Sequence, residues 1–464
     1  MTAKPNILFI LSDDQGIWAA GCYGNPEIRT PNLDRIAAGG MRFDNFFVAS
    51  PVCSPSRATF LTGRICSQHG VHDWIREGNV GDDAACYLKD EVAYTDILAA
   101  HGWTCGLSGK WHLGHSQLPQ HGFSHWFTHQ QGGGPYNDAP MIRNGELVNE
   151  PGYVTNVITD DALSFIERHA NDDAPFYLGV HYTAPHSPWT GHPQAIVDSY
   201  DDCPFASCPQ EPIHPWAVGH PLTENSLGNR DMLKGYFAAV TAMDEDIGRL
   251  LDRLDALGIS DNTLVVFVSD NGFSCGHHGF WGKGNATYPP NMFDNSIKVP
   301  MLMRHPSHIP AATVQTGLCS AYDFMPTLLD YLELPRPTGR DLPGQSFLAL
   351  LQGQETPVRD NIVVYDEYGA TRMARTTEWK YVHRYAAGPH ELYDLKNDAD
   401  ERHNLADDPN HSARVSQMLE LLEQWFNHYV EADKDGRDYP ITGKGQLRPV
   451  GKAWTNTTPP FAQE

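Results

Sequence analysis

No Cys-X-X-Cys pair occurs anywhere in the 464 residues, which removes zinc-ribbon and thioredoxin-like readings. The nine cysteines are an odd, scattered set, expected to be mostly reduced, with Cys203 and Cys208 the one pair placed to bridge. Apolar runs near the roughly 20 residues needed to cross a bilayer are missing, so no membrane partner is expected. Repeats of fixed period are also missing. The opening residues run straight into an apolar segment and lack the layout of a secretory signal. The chain as given therefore reads as cytoplasmic, with a periplasmic or secreted protein the alternative if a leader has been removed. Positive charge is scarce: 33 Lys and Arg face 57 Asp and Glu, for a net charge of −24. No basic patch stands out, which argues against a nucleic-acid partner. An anionic ligand would have to be caught by a local cationic site inside a repelling field.

What is present is ordinary for a soluble globular chain, with 41% hydrophobic and 19% charged residues. The length suggests a large domain and a smaller one, divided here as 1–345 and 346–464. The first part alternates strand-like and helix-like segments. Residues 7–11 and 176–181 read as strands, and 263–269 (TLVVFVS) as a strand buried on both faces. Residues 299–303 add another strand. Helices are expected at 32–38, 95–101, 157–169, 233–257 and 320–332. This alternation predicts an α/β fold, a mostly parallel sheet with helices on both faces. Beyond about 345 the pattern shortens to strands at 362–365, 371–376 and 379–384 and a helix at 413–430. A small antiparallel sheet with one packed helix is expected there. The tail from 433 reads as a surface arm that closes over a cleft or a neighbouring subunit, so a homo-oligomer stays open.

Ligands of open α/β sheets sit beyond the carboxyl ends of the strands. Asp13 and Asp14 follow the first strand, Lys110 and His112 follow 104–108, His181 and His186 follow 176–181, and Asp270 and Asn271 follow 263–269. Four polar clusters thus emerge at one edge. Asp13, Asp14, Asp270 and Asn271 offer hard oxygen ligands without imidazole or sulfur, a set suited to Ca²⁺ or Mg²⁺ rather than Zn²⁺. Each cluster taken alone also fits a turn with helix-capping potential. In Cys53-Ser54-Pro55-Ser56-Arg57, Pro55 suggests a helix starting just after Cys53, and a helix start favours an anion. A lone cysteine is more often a small buried hydrophobe. Here the neighbours are polar and Arg57 adds positive charge.

The segment 53–64, CSPSRATFLTGR, resembles the C-x-P-S-R-x-x-x-L-T-G-R signature of the formylglycine-dependent sulfatases, within the alkaline phosphatase superfamily, and agrees at each specified position. KPNILFILSDDQG, GKWHLG, APHSPW, VSDNG, GKG and ELYDLKNDADERHNLA are similar to further family segments, so the resemblance covers nearly the whole chain. It implies an alkaline-phosphatase-like fold and oxidation of Cys53 to formylglycine (3-oxoalanine) by a separate maturation enzyme. It also implies a Ca²⁺ ion, with Mg²⁺ possible, held by Asp13, Asp14, Asp270, Asn271 and the modified Cys53. Hydration of the aldehyde gives a diol whose metal-acidified hydroxyl attacks sulfur. The family's roles carry over as Arg57 orienting the diol, Lys110 and Lys283 countering sulfate charge, and His112 acting as base on the second hydroxyl. His186 and Lys283 are the candidates at the leaving oxygen. His181 is expected as a substrate-binding or supporting residue, or simply as a core histidine. One departure stands out: after Lys283 the chain reads NATYPPNMFDNSIKVP where many relatives carry an acidic Glu-Gly-Gly stretch. That reshapes the pocket rim and weakens transfer of substrate identity.

Aromatic and polar residues gather in the loops: Trp74 and Arg76, His115, the glycine-rich 130–136, Trp189 and His278. Flat rings mixed with polar groups suit sugars, so a sulfated carbohydrate is the expected substrate. The plainer reading is that the tryptophans anchor loops. Two other functions stay open: a phosphonate or phosphodiester hydrolase using the same aldehyde, and a glycan-binding protein with Cys53 unmodified.

Overall fold

The run Asn6–Ser12 (β1) is buried at all seven positions and lies inside a ten-stranded sheet. In chain order the other strands of this sheet are Met41–Phe43 (β2), Thr104–Gly109 (β3), Phe123–His129 (β4), Pro140–Arg143 (β5), Glu146–Asn149 (β6), Phe176–His181 (β7), Thr263–Ser269 (β8), Met301–Arg304 (β9) and Thr313–Gln315 (β10). Their spatial order is β10-β2-β9-β8-β1-β7-β3-β4-β5-β6. The central five, β8-β1-β7-β3-β4, are parallel, and antiparallel strands flank them on both sides. This computed structural model describes residues 4–354, 364–385, 388–451 and 459–463.

The period of two along β1 splits its side chains between two cores. Leu8 and Ile10 pack with Ile158 and Phe165 of a helix at Val154–His169 and with Met243 and Leu250 of the long helix Arg230–Ala256. Ile7, Phe9 and Leu11 point the other way, to Phe60, Phe324 and Leu328. Each fully buried side chain of this kind contributes about 1.5–3 kcal/mol. Asn229 starts the long helix, its side chain accepting from the Asp231 and Met232 amides.

The alternation therefore yields the expected α/β architecture. Helix and strand bounds fall within about three residues of expectation, the usual blur of element ends. The 123–149 strands had not been expected: Ser124, His125, Thr128 and His129 interrupt the apolar residues of β4, β5 has only Met141 and Ile142 buried, and β6 is largely exposed.

A second sheet, Val364–Tyr368 (β11), Thr371–Arg375 (β12), Trp379–Arg384 (β13) and Glu391–Asp394 (β14), is an antiparallel meander. The expected strand at 362–365 lies partly outside the described residues. Helix Ser412–Tyr429 covers the meander with Met418, Leu422 and Phe426. Ala49, Ile65 and Tyr322 join the same cluster, which fixes the small sheet to the segments on either side of Cys53. All nine thiols are free, contrary to a Cys203–Cys208 bridge. The thiol of Cys208 instead faces that of Cys275, which the fold brings alongside. No helix among the described residues is long and apolar enough to cross a membrane.

Candidate active site

The register aligns Leu11 with His181 and Val268, Ser12 with Ser269, and Gly109 with His181. The carboxyl ends of β8, β1, β7 and β3 therefore lie side by side. Asp13 and Asp14, Lys110, His181 and Asp270 emerge there as neighbours. Cys53 arrives from outside the sheet as the first residue of helix Cys53–Thr62 (α1), all ten residues of which are buried. Its thiol thus sits at a helix start, where the backbone N–H groups favour negative charge.

Charge pairs knit the cluster together. The Lys110 ammonium donates to Asp13 Oδ2 at 2.5 Å, and Arg57 Nε donates to Asp270 Oδ2 at 2.7 Å. Arg57 Nη1 donates to the Lys110 carbonyl at 2.9 Å. Lys283 Nζ lies 2.8 Å from Cys53 Sγ and also donates to Asp14 Oδ1. Asn271 Nδ2 donates to Asp14 Oδ1 at 2.7 Å. Asp14 and His112 hold φ of 65° and 56°, a region costly for residues with a Cβ.

Two oxygens in this cluster are buried without a partner, Asp13 Oδ1 and Asn271 Oδ1. Cys53 Sγ and one oxygen each of Asp13 and Asp270 lie within 4.8 Å of one another. Burial and the Asp13 charge push Asp270 up to about 6. Burial also works against Asp13, but Lys110, aided by His186, Arg57 and Lys283, holds it well below the carboxylate range. Crowded carboxylates and orphaned oxygens fit a hard divalent cation. Burial, reinforced by Asp13 and Asp270, raises the Cys53 thiol to about 11 despite Lys110 and Lys283, so the unmodified side chain is a poor nucleophile near neutrality.

Above Cys53 lies a cavity of about 320 Å³ lined by Trp74, Ile75, Arg76, His112, Gln131, Gly132, Gly133, His186, Lys283 and Asn285. His112 Nε2 lies 2.9 Å from the Ile75 carbonyl, which fixes the proton there and leaves Nδ1 as an acceptor without a protein partner. Burial and the nearby Lys110 lower its pKa, so the ring is neutral. A Cβ on Gly132 would come within 2.1 Å of the His112 ring, so only glycine lets this loop pass. His186 donates from Nδ1 to the Ser187 carbonyl at 2.7 Å, and its Nε2 stands 3.8 Å from Asp14 Oδ2.

Trp74 and Arg76 line the cavity, but four other expected substrate contacts do not. His181 is buried, its Nδ1 3.1 Å from the Lys110 carbonyl and its ring against Phe9. Trp189 is 4% exposed, donates to the Pro185 carbonyl and packs on Trp281. His115 is half-buried, its loop held by an amide bond to the Ala85 carbonyl. His278 stacks on Phe293 at 4.0 Å in a separate depression. The His181, Trp189 and His278 rings thus pack within the fold, and none of the four lines the cavity. Gln131 and Asn285 do line it; they had been marked only as parts of the 130–136 loop and of the rim stretch after Lys283.

The tail packs behind Trp74 and Arg76, two of the residues that line the cavity. Gln446 exchanges backbone hydrogen bonds with Trp74 and Arg76, accepting from the Arg76 amide at 2.9 Å and donating to the Trp74 carbonyl at 2.7 Å. Trp74 Nε1 donates to the Gly443 carbonyl at 3.0 Å, and the Gly445 amide donates to Asp73 Oδ2 at 3.0 Å.

Comparison with known proteins accounts for this constellation. The family profile described as Sulfatase matches residues 5–334, and one described as N-sulphoglucosamine sulphohydrolase, C-terminal, matches 276–428. The chain belongs to the sulfatase family. Its reaction class is hydrolysis of sulfuric esters. Among sulfatases similar to it, the N-acetylglucosamine-6-O-sulfatase of Bacteroides thetaiotaomicron is 28% identical over 96% of this chain and 90% of that protein. The human N-acetylgalactosamine-6-sulfatase is 32% identical over 80% of this chain and 70% of its own length. The structure of BT4656 with its substrate D-glucosamine-2-N,6-O-disulfate superposes with a TM-score of 0.78 at 27% identity, covering 94% of this chain and all of that one.

Proposed function

We propose that this sulfatase removes sulfate from a sulfated carbohydrate, using formylglycine made from Cys53 and a calcium ion held by Asp13, Asp14, Asp270 and Asn271. The observation that carries the metal reading is the pair of buried, unpartnered oxygens on Asp13 and Asn271 beside Cys53. When bound, the ion and the hydrated aldehyde supply an activated oxygen nucleophile and polarise the sulfate group. The chain's own residues do the rest. Lys110 and Lys283 offset sulfate charge, and Arg57, anchored on Asp270 and the Lys110 carbonyl, keeps its neighbours in register. His112 holds an acceptor nitrogen at the cavity floor, suited to taking the proton that allows sulfate to leave. His186 lines the same cavity, its Nε2 suited to protonating the departing sugar oxygen.

The carbohydrate reading is supported by Trp74, Arg76, Gln131 and Asn285 lining one cavity, and by the amino-sugar substrates named for the relatives above. Hexosamine 6-sulfates are the first substrates to assay. The test joins two measurements on protein co-expressed with a formylglycine-generating enzyme. Mass spectrometry of the Cys53 peptide should show aldehyde in place of thiol, and sulfate should be released from defined sulfated sugars. Sulfate release by protein whose Cys53 is entirely thiol would overturn the nucleophile. Faster turnover of matched phosphodiesters would overturn the substrate class. Cys53→Ala should abolish turnover and leave the melting temperature nearly unchanged.

A further inference from the structure

A second groove of about 470 Å³ opens beside the catalytic cavity, and Asn285 lines both. Its walls are Trp216, Val218 and His220 on one side, Tyr288 on another, and Gly443 and Lys444 of the tail on the third. The partition between the two spaces is thin. Trp74 Nε1 and Asn285 Nδ2 both donate to the Gly443 carbonyl, at 3.0 and 3.2 Å. Gly443 holds φ of +83°, and a Cβ there would press to 2.8 Å from Asn285 Cβ, so only glycine brings the tail this close.

The groove collects apolar surface that the fold leaves in water. Val218 is 65% and Tyr288 66% exposed, the two highest values among the exposed large hydrophobic side chains of the described residues. Their position is not loose: the Tyr288 amide donates to the Trp216 carbonyl at 2.9 Å. One face of Trp216 is covered by the Arg384 guanidinium, 4.8 Å from the ring centre. Polar groups alternate with these surfaces, including a buried, unpartnered His220 Nδ1 and the Lys444 ammonium at the rim. A ring with an apolar face and a hydroxylated edge matches such a mixed lining, with Lys444 held at the rim by its bond to the Gln463 carbonyl at 2.9 Å. The groove is built from residues 216–221, the segment after Lys283 and the tail.

We propose that this groove is a subsite for the next sugar of the substrate chain, the unit glycosidically linked to the sulfated sugar held over Cys53. The enzyme then prefers sulfated oligosaccharides to sulfated monosaccharides. This rests on the carbohydrate reading above and deepens it. Asn285, shared by both spaces, sits where the linkage would pass, and Lys444 gives the distal end a preference for anionic sugars.

The test compares kcat/KM for a hexosamine 6-sulfate with that for tetrasaccharides carrying the same unit at either terminus. It uses the matured enzyme, Tyr288→Ala and Val218→Asp. The wild type should favour one tetrasaccharide by at least about tenfold, the equivalent of about 1.4 kcal/mol. Both variants should bring that ratio near one, through KM, while turnover of the monosaccharide stays within about twofold. A wild-type ratio near one, or a preference that survives both substitutions, overturns the subsite and leaves the carbohydrate reading standing. Turnover of an aryl sulfate with no sulfated sugar attacked overturns both.

Discussion

Gly132 illustrates how narrow the tolerance around His112 is. Its missing Cβ is what separates the glycine-rich loop from the His112 ring, at 2.1 Å from where that carbon would stand. Gly132→Ala should therefore displace the ring or the loop and lower kcat by at least about tenfold, about 1.4 kcal/mol in the barrier. The loop edges a cavity rather than the core, so the melting temperature should shift little. Steady-state kinetics beside thermal unfolding would check this, and unchanged kcat would remove the constraint. His186 offers a second test through leaving-group dependence. His186→Ala should slow sugar sulfates more than aryl sulfates with good leaving groups. Equal losses would show that it does not protonate the departing oxygen.

Residues placed by apolar strands were legible before the fold was known. Asp13, Lys110 and Asp270 each follow a short buried run, and sequence reports such runs locally. The walls were harder, because ring chemistry does not say which way a ring faces. Trp74 and Trp189 look alike in sequence, yet Trp74 borders the cavity while Trp189 fills a gap against Trp281 and Phe273. Asn285 was marked only as part of the rim stretch after Lys283, because its particular place depends on Gly443, 158 positions away.

Between segments, the contact of the tail with 72–76 carries the most weight. Gln446 is fully buried; its side chain accepts from the His72 amide at 2.8 Å and donates to the Gly70 and Arg448 carbonyls at 3.0 Å. Gln446→Ala strands these groups and should cost about 1–3 kcal/mol. Since the same stretch backs Trp74 and Arg76, KM for sugar sulfates should rise more than KM for a small aryl sulfate. Loss of stability with both KM values unchanged would mean the tail braces the fold without shaping the cavity.

The loop after β7 carries a buried imidazole that makes its stability sensitive to acid. His192 packs on Tyr136, its Nδ1 lies 2.9 Å from the Tyr153 hydroxyl, and burial lowers its pKa from 6.5 to about 4. The unfolded chain takes up this proton first, so the contribution is whole above about 6.5 and falls by about 1.4 kcal/mol per pH unit towards 4. The melting-temperature gap between wild type and His192→Phe should therefore shrink as pH drops through that window. A constant gap would show that the imidazole is not held neutral.

For the molecule as a whole, a chain of charge −24 concentrates Arg57, Lys110 and Lys283 at one buried point. These cations pair with Asp270, Asp13 and Asp14, and the proposed calcium ion would add its charge to the same carboxylates. Calcium should thus raise the melting temperature in a concentration-dependent way, by the equivalent of about 2.7 kcal/mol at a hundred times its Kd. Chelator should reverse the gain, and Asp270→Ala should abolish it. An identical melting curve with calcium and with chelator would contradict the metal assignment. The broad architecture was readable because alternating buried strands and amphipathic helices admit few arrangements. The joining of the small sheet to the region around Cys53 was not, since it rests on Ala49, Ile65 and Tyr322 meeting residues from beyond position 364.

The bond from Gly445 to Asp73 spans 372 positions of chain. On the ribosome, the residues proposed to react are therefore made long before the stretch that steadies Trp74. A polypeptide stalled at residue 440 would hold all of those residues and lack the hydrogen bonds that Gly443 and Gln446 give to that wall.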